Sequence, residues 1–259
     1  MTIKRLRPLM PLMLLLLGTM STGSVQAATA EPRGISFYVL RVVYPEQAKK
    51  GVTLTAYNKS EHPYLMQSWV RPMEPQTGDV ELGDTGETAT PFIVTPPLQR
   101  LEPGGELTLR IRRTGDALPA DRESVFFVSM KAIPRQVQAD TATKQMPPAP
   151  GQMTLTVVSN LKLFYRPDGL AARAVADAAP QLRFRHDGRD LIAENPTPYW
   201  LTFSRLSIGE QALDKSALRL MVPPKGQQRY RLPTGAHGPV VWQLIDEDGW
   251  DTPRQQQPL

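Results

Sequence analysis

An all-β chain folded into two β-sandwiches is predicted by three features of the sequence. Proline is abundant (26) and glycine moderate (18) in 259 residues, spread between short runs rich in Val, Leu, Phe and Tyr. That is the pattern of strands separated by frequent turns. Apolar residues recur at every second position in segment after segment, while long helical periodicity is missing. A turn signal at Pro167–Asp168–Gly169 is then followed by a fresh series of strand-like runs, which places a division near residues 167–180.

The chain opens with Lys4, Arg5 and Arg7, continues through an apolar run from Leu9 to Leu17 broken by Pro11, and reaches small residues ending Ala27–Ala28–Thr29–Ala30. A basic start, a short apolar centre and small residues describe a secretory signal peptide, here residues 1–27, with Ala30 also suiting cleavage. The apolar run is shorter than the ~20 residues a spanning helix needs. Export is therefore expected.

Ile35, Phe37, Val39, Arg41 and Val43 fall on one face of a first strand, and Val52–Leu54–Ala56 and Leu107–Leu109–Ile111 repeat the period of two. Tyr64 to Val70 and Ser124 to Lys131 are apolar enough to be buried sandwich strands. The longest run is Met153 to Arg166. After the division come Leu182–Arg185, Leu191–Ala193, Trp200–Phe203 and Val240–Leu244. Ala171 to Ala179 is alanine-rich and suits a short helix closed by Pro180, in the place of a linker. The domains are accordingly 28–168 and 169–259, with no internal repeat evident. Gly78–Thr90 and Arg135–Gln152 read as long loops, which are usually functional or disordered.

Charge and cysteine usage exclude several classes. Without Lys4, Arg5 and Arg7 the formal charge of +5 falls to +2, with both signs interspersed, which is no nucleic-acid-binding footprint. Cysteine is absent, so neither disulfides nor thiol chemistry support an exported fold. His62, His186 and His237 are scattered without metal-ligand spacing, and no nucleophile elbow, phosphate loop or dinucleotide fingerprint appears. Asp246–Glu247–Asp248 lacks the remaining spacing of a calcium loop. No enzyme, cofactor or metal site is expected, and no membrane insertion of the mature chain.

Six segments are more specific: Pro63–Trp69, Pro91–Gly104, Leu118–Ser124 with Ile133–Pro134, Lys162–Pro167, Leu191–Tyr199 and Val222–Gly226. In this order, along nearly the whole mature chain, they resemble the PapD-like family, the periplasmic pilus-assembly chaperones of the chaperone–usher pathway. The resemblance implies two immunoglobulin-like domains set at an angle with a cleft between them. It also implies binding of fimbrial subunits whose own sandwich lacks a strand, a recognition mode by strand addition, and delivery to an outer-membrane usher.

By the same resemblance Met153, Leu155 and Val157 are the apolar row of the donated strand. Periodicity by itself favours a core strand facing its own domain; the resemblance assigns donation instead. Strict alternation puts Lys162 on the opposite face from Met153 and Leu155, which calls for a bulge or strong twist between them. Arg41 and Lys162 match the two cations that hold the subunit's C-terminal carboxylate, a fork and a point charge. On the apolar face of Phe37, Val39 and Val43, Arg41 needs a partner. Glu123 and Arg166 match an ionic cluster completed by an acid of the second domain, Glu247 by position, with Asp246 and Asp248 as alternatives. The loop 135–152 resembles that of the long-loop subclass, whose disulfide positions are here Ser129 and Asn160, a pair suited to a hydrogen bond. An exposed apolar donor row also predicts self-capped oligomers. The rival reading is a structural fimbrial subunit or adhesin module, which would polymerise and carry one incomplete sandwich.

Overall fold

The computed structural model describes residues 34–81, 90–115, 118–135 and 156–259. The expected signal peptide, Met153, Leu155 and most of the loops 78–90 and 135–152 lie outside these residues.

In the first domain the alternating runs form β1 (Ile35–Ser36), β2 (Arg41–Pro45), β3 (Val52–Asn58), β4 (Tyr64–Pro72), β5 (Phe92–Thr95), β6 (Leu98–Leu101), β7 (Glu106–Arg113), β8 (Ser124–Pro134) and β9 (Val157–Arg166). They make two sheets, ordered β1-β3-β7-β5 and β2-β9-β8-β4-β6. Period-two burial is clean in β3 and β7, whose Leu54, Leu107, Leu109 and Ile111 enter the core with Tyr44, Phe92 and Leu163. Gly51 holds the turn before β3 at φ 84°, where a Cβ would come within 2.3 Å of the Ile111 carbonyl oxygen.

The expected first strand is in fact two strands. β1 pairs antiparallel with β3 in one sheet, whereas β2 pairs parallel with β9 in the other. A chain crossing between the two sheets of a sandwich must leave the ladder, and it does so over 37–40, where Tyr38, Val39 and Leu40 are exposed. After the crossing the core row of β2 is Val42 and Tyr44, so Arg41 and Val43 lie on the outer face, apart from Phe37 and Val39.

The second domain contains α1 (Val175–Ala178), β10 (Arg183–Asp187), β11 (Asp190–Asn195), β12 (Phe203–Ile208), β13 (Gln211–Ala212), β14 (Gly226–Arg231), β15 (Val240–Leu244) and β16 (Gln255–Gln257). Its sheets run β10-β11-β14 and β13-β12-β15-β16. Leu191, Phe203, Tyr230 and Trp242 centre its core, and Ala174, Val175, Ala178 and Ala179 pack into it. The alanine-rich segment thus belongs to this core, because one face of its short helix has apolar surface to bury. The predicted run at Trp200 starts later: β12 begins at Phe203, while Leu201 makes an isolated bridge to Val222.

An internal likeness that the sequence hides appears in the turns. Asn58 donates through its amide to the carbonyls of His62, Leu101 and Glu102 and accepts from Ser60. In the second domain Asn195 donates to the carbonyls of Tyr199, Val222 and Pro223 and accepts from Thr197. Each buried asparagine replaces with one side chain the ladder bonds that its turn has lost.

The pairing of β8 with β9 runs unbroken from Ala132 opposite Val157 to Ser124 opposite Tyr165. No bulge interrupts β9 over 157–166; Met153 and Leu155, from which the expected bulge or twist was to re-aim the strand, lie outside the described residues. Leu161, Leu163 and Tyr165 face their own core, and the same row continues to Val157, which is 64% exposed. Leu163→Ala is expected to cost about 2–5 kcal/mol in urea unfolding, whereas Val157→Ala should stay within about 0.5 kcal/mol.

Candidate functional site

The opposite row of β9 carries the chemistry. Lys162, Phe164 and Arg166 point away from the core, and parallel pairing sets Arg41 beside Lys162, Val43 beside Phe164 and Pro45 beside Arg166. Paired residues of adjacent strands lie about 4.8 Å apart and face the same way. Two cations therefore leave one sheet face as immediate neighbours.

Arg41 is only 8% exposed, and its guanidinium carbon lies 5.1 Å from the centroid of the Phe164 ring, a cation–π contact. Its Nε has no hydrogen-bond partner, and among the described residues neither Arg41 nor Lys162 is joined to a carboxylate. Burial pushes Arg41 down to about 10, with attraction to Glu247, Glu123 and Asp246 opposing and Arg166 reinforcing. Lys162 falls to about 8, first through burial and then through repulsion by Arg41, against a pull from Asp79. Among the described residues, the contact that answers the Arg41 guanidinium is the aromatic face of Phe164.

Phe164 continues the row into apolar contact. It forms a small cluster with Val125 of the first domain and Met221 of the second, flanked by Met73 and Trp200. One step further, Arg166 is 4% exposed and its neighbour Glu123 3%. Arg166 Nε donates to Glu123 Oε1 at 2.7 Å, and Nη1 donates to Glu247 Oε1 at 3.0 Å and to the Ala171 carbonyl at 2.9 Å. Its guanidinium also lies 5.0 Å from the Tyr199 ring centroid. Glu123 Oε2 accepts the Trp200 amide at 2.8 Å, and the Glu123 carbonyl accepts Trp200 Nε1 at 3.1 Å. Burial pushes the Glu123 carboxyl up, and Arg166 pulls it back.

The three adjacent acids separate by role. Glu247 meets Arg166 and also accepts the amides of Ala174 and Val175 at 3.0 and 3.3 Å. Asp246 caps its own turn through the amides of Asp248 and Trp250, and Asp248 pairs with the exposed Arg173. Sequence reasoning missed Tyr199 and Trp200 as parts of this junction, and likewise two outer ion pairs, Arg219 with Asp79 at 3.1 Å and Lys225 with Asp121 at 2.7 Å. Their spacing carries no signal, since each pair joins residues more than a hundred positions apart. At the far end of β9, Ser129 and Asn160 are hydrogen-bonded at 2.7 Å.

Two sandwiches are thus joined through a buried ionic junction, with paired cations beside it. The chain matches the family described as pili and flagellar-assembly chaperone, PapD N-terminal domain, over residues 34–171. It matches the C-terminal domain of the same pili assembly chaperone over 177–256. It belongs to this family: its two domains are immunoglobulin-like and it is a pilus-assembly chaperone rather than a structural subunit. The chaperone protein FimC of Escherichia coli strain K12 is 33% identical over 241 residues, 93% of this chain and 90% of that protein. The chaperone protein FimB/FhaD of Bordetella pertussis is 33% identical over 247 residues, 92% and 95% of the two chains. Among solved structures, a chain from the complex of the Salmonella enterica SafA pilin with the SafB chaperone superposes with a TM-score of 0.71 at 29% identity. That match covers 88% of this chain and 98% of the other.

Two outcomes test the electrostatics. Arg166→Met should lower stability by about 3–5 kcal/mol by stranding Glu123, and adding Glu123→Gln should restore part of the loss in the same urea assay. For Lys162, the unfolded chain keeps its proton up to about 10.4, while the folded chain releases it near 8. The unfolded state then holds more protons across that window, so stability rises with pH there. Lys162→Met should flatten that rise and increase stability at pH 7; an unchanged pH profile would refute the depressed lysine.

Proposed function

We propose that this chain works in the periplasm, binding fimbrial subunits by strand addition and passing them to an outer-membrane usher. The observation that carries the reading is the adjacent pair Arg41 and Lys162, buried enough to lose much of their hydration and joined to no carboxylate among the described residues. Desolvated cations are costly unless an anion completes them. A subunit's C-terminal carboxylate would accept from the arginine fork and the lysine ammonium together, and would also fix the register of an added strand.

The donated strand in this reading is the Met153–Leu155–Val157 row. Its support is that Val157 lies exposed where the inward row of β9 runs past the core. Unspent backbone and apolar side chains at that end suit completion of another sandwich. The Glu123–Arg166–Glu247 cluster would fix the angle between the domains and so the direction in which the donor row meets its partner. The basic, apolar and small-residue pattern of residues 1–27 fits export, and the exposed row fits self-capping when no subunit is present.

The test is co-expression with the cognate subunit. Arg41→Ala and Lys162→Ala should each leave a folded chaperone while subunit recovery falls at least tenfold. A synthetic peptide of the subunit's last strand should bind the wild-type chain about tenfold better as the free acid than as the amide, and Lys162→Ala should remove that preference. Normal recovery with both substitutions would end the anchoring role.

A further inference from the structure

Arg41 keeps one nitrogen that no neighbour answers, and the residue borders a small cavity between the domains. Nε is buried without a hydrogen-bond partner among the described residues. The cavity, of about 10 Å³, is lined among others by Arg41, Val43, Glu123, Val175 and Glu247, and that is the room one water molecule needs. Of the two acids, Glu123 has both oxygens engaged, Oε1 by Arg166 and Oε2 by the Trp200 amide. Glu247 has capacity left. Its Oε1 takes Arg166 Nη1 and the Ala174 and Val175 amides, while Oε2 receives no hydrogen bond among the described residues. Glu247 is also the strongest charge attraction on Arg41. The cavity therefore offers a water both a donor and an acceptor.

We infer that one ordered water fills this cavity, accepts from Arg41 Nε and donates to Glu247 Oε2, making Glu247 a positioning residue for Arg41. A water bridging two protein groups is nearly as good as a direct hydrogen bond. The bridge fixes the plane of the guanidinium and leaves the two Nη groups for a carboxylate. Because Glu247 belongs to the second domain and is held by Arg166, the geometry of the anchor then depends on how the domains are docked. The functional part of this inference rests on the reading of Arg41 as a carboxylate anchor.

The experiment combines a high-resolution crystal structure of the purified chain with NMR of the Arg41 Nε–H group, using acetate as the carboxylate probe and chloride as the control. The structure should show a water bonded to Arg41 Nε and Glu247 Oε2. Val175→Ile, which adds one methylene to the cavity wall, should expel that water and shift the Nε–H signal. It should also weaken acetate binding about fivefold, without lowering the unfolding midpoint as Arg166→Met does. Val43→Ile provides a second filling variant should the first fail to fold. A dry cavity in the wild-type crystal, or an Nε–H signal and acetate affinity unchanged by filling, would overturn the inference. If the water is present but acetate perturbs neither Arg41 nor Lys162, the bridge stands and the anchoring role falls instead.

Discussion

A guanidinium buried to 4% exposure has to be answered on every side, and most of the junction follows from how Arg166 is answered. Its partners come from three places: Glu123 of its own sandwich, Glu247 of the other, and the carbonyl of Ala171 in the segment between them. All three are met at once in one relative placement of the domains. Such a buried network adds little net stability compared with apolar packing, but misplacement leaves a charge stranded. Around it the Phe164, Val125 and Met221 contact supplies the apolar burial that the charges do not.

β9 reaches this junction because its two faces have different owners. One row, Leu161, Leu163 and Tyr165, closes the first sandwich, and the other, Lys162, Phe164 and Arg166, belongs to the space beside the second domain. Along that outer row the surroundings grade from a lysine joined to no acid among the described residues, through an aromatic contact, to an arginine in a shell of acceptors. At the lysine end, burial and the neighbouring Arg41 lower the proton affinity of Lys162.

The two-sandwich plan was legible because period-two burial depends only on local sequence, and β3 and β7 follow it residue by residue. The crossing at 37–40 was not, since alternation continues through it on paper and only the change of sheet moves Arg41 to the outer face. The expected bulge or twist between Leu155 and Lys162 falls partly outside the described residues, and the ladder is regular from Val157 onward. For the site, family resemblance brought the residues into view, and the choice of Glu247 among three acids required the turn that engages Asp246 and Asp248 elsewhere. The likeness between Asn58 and Asn195 escaped notice because it lies in what their side chains bond, with little repetition around them.

The contact between Ser129 and Asn160 has a practical consequence. With no cysteine anywhere in the chain, the hairpin of β8 and β9 is tied by a bond that forms and breaks without electron transfer. Maturation of this protein needs no oxidant or disulfide isomerase, and its hairpin is equally closed in dithiothreitol and in air.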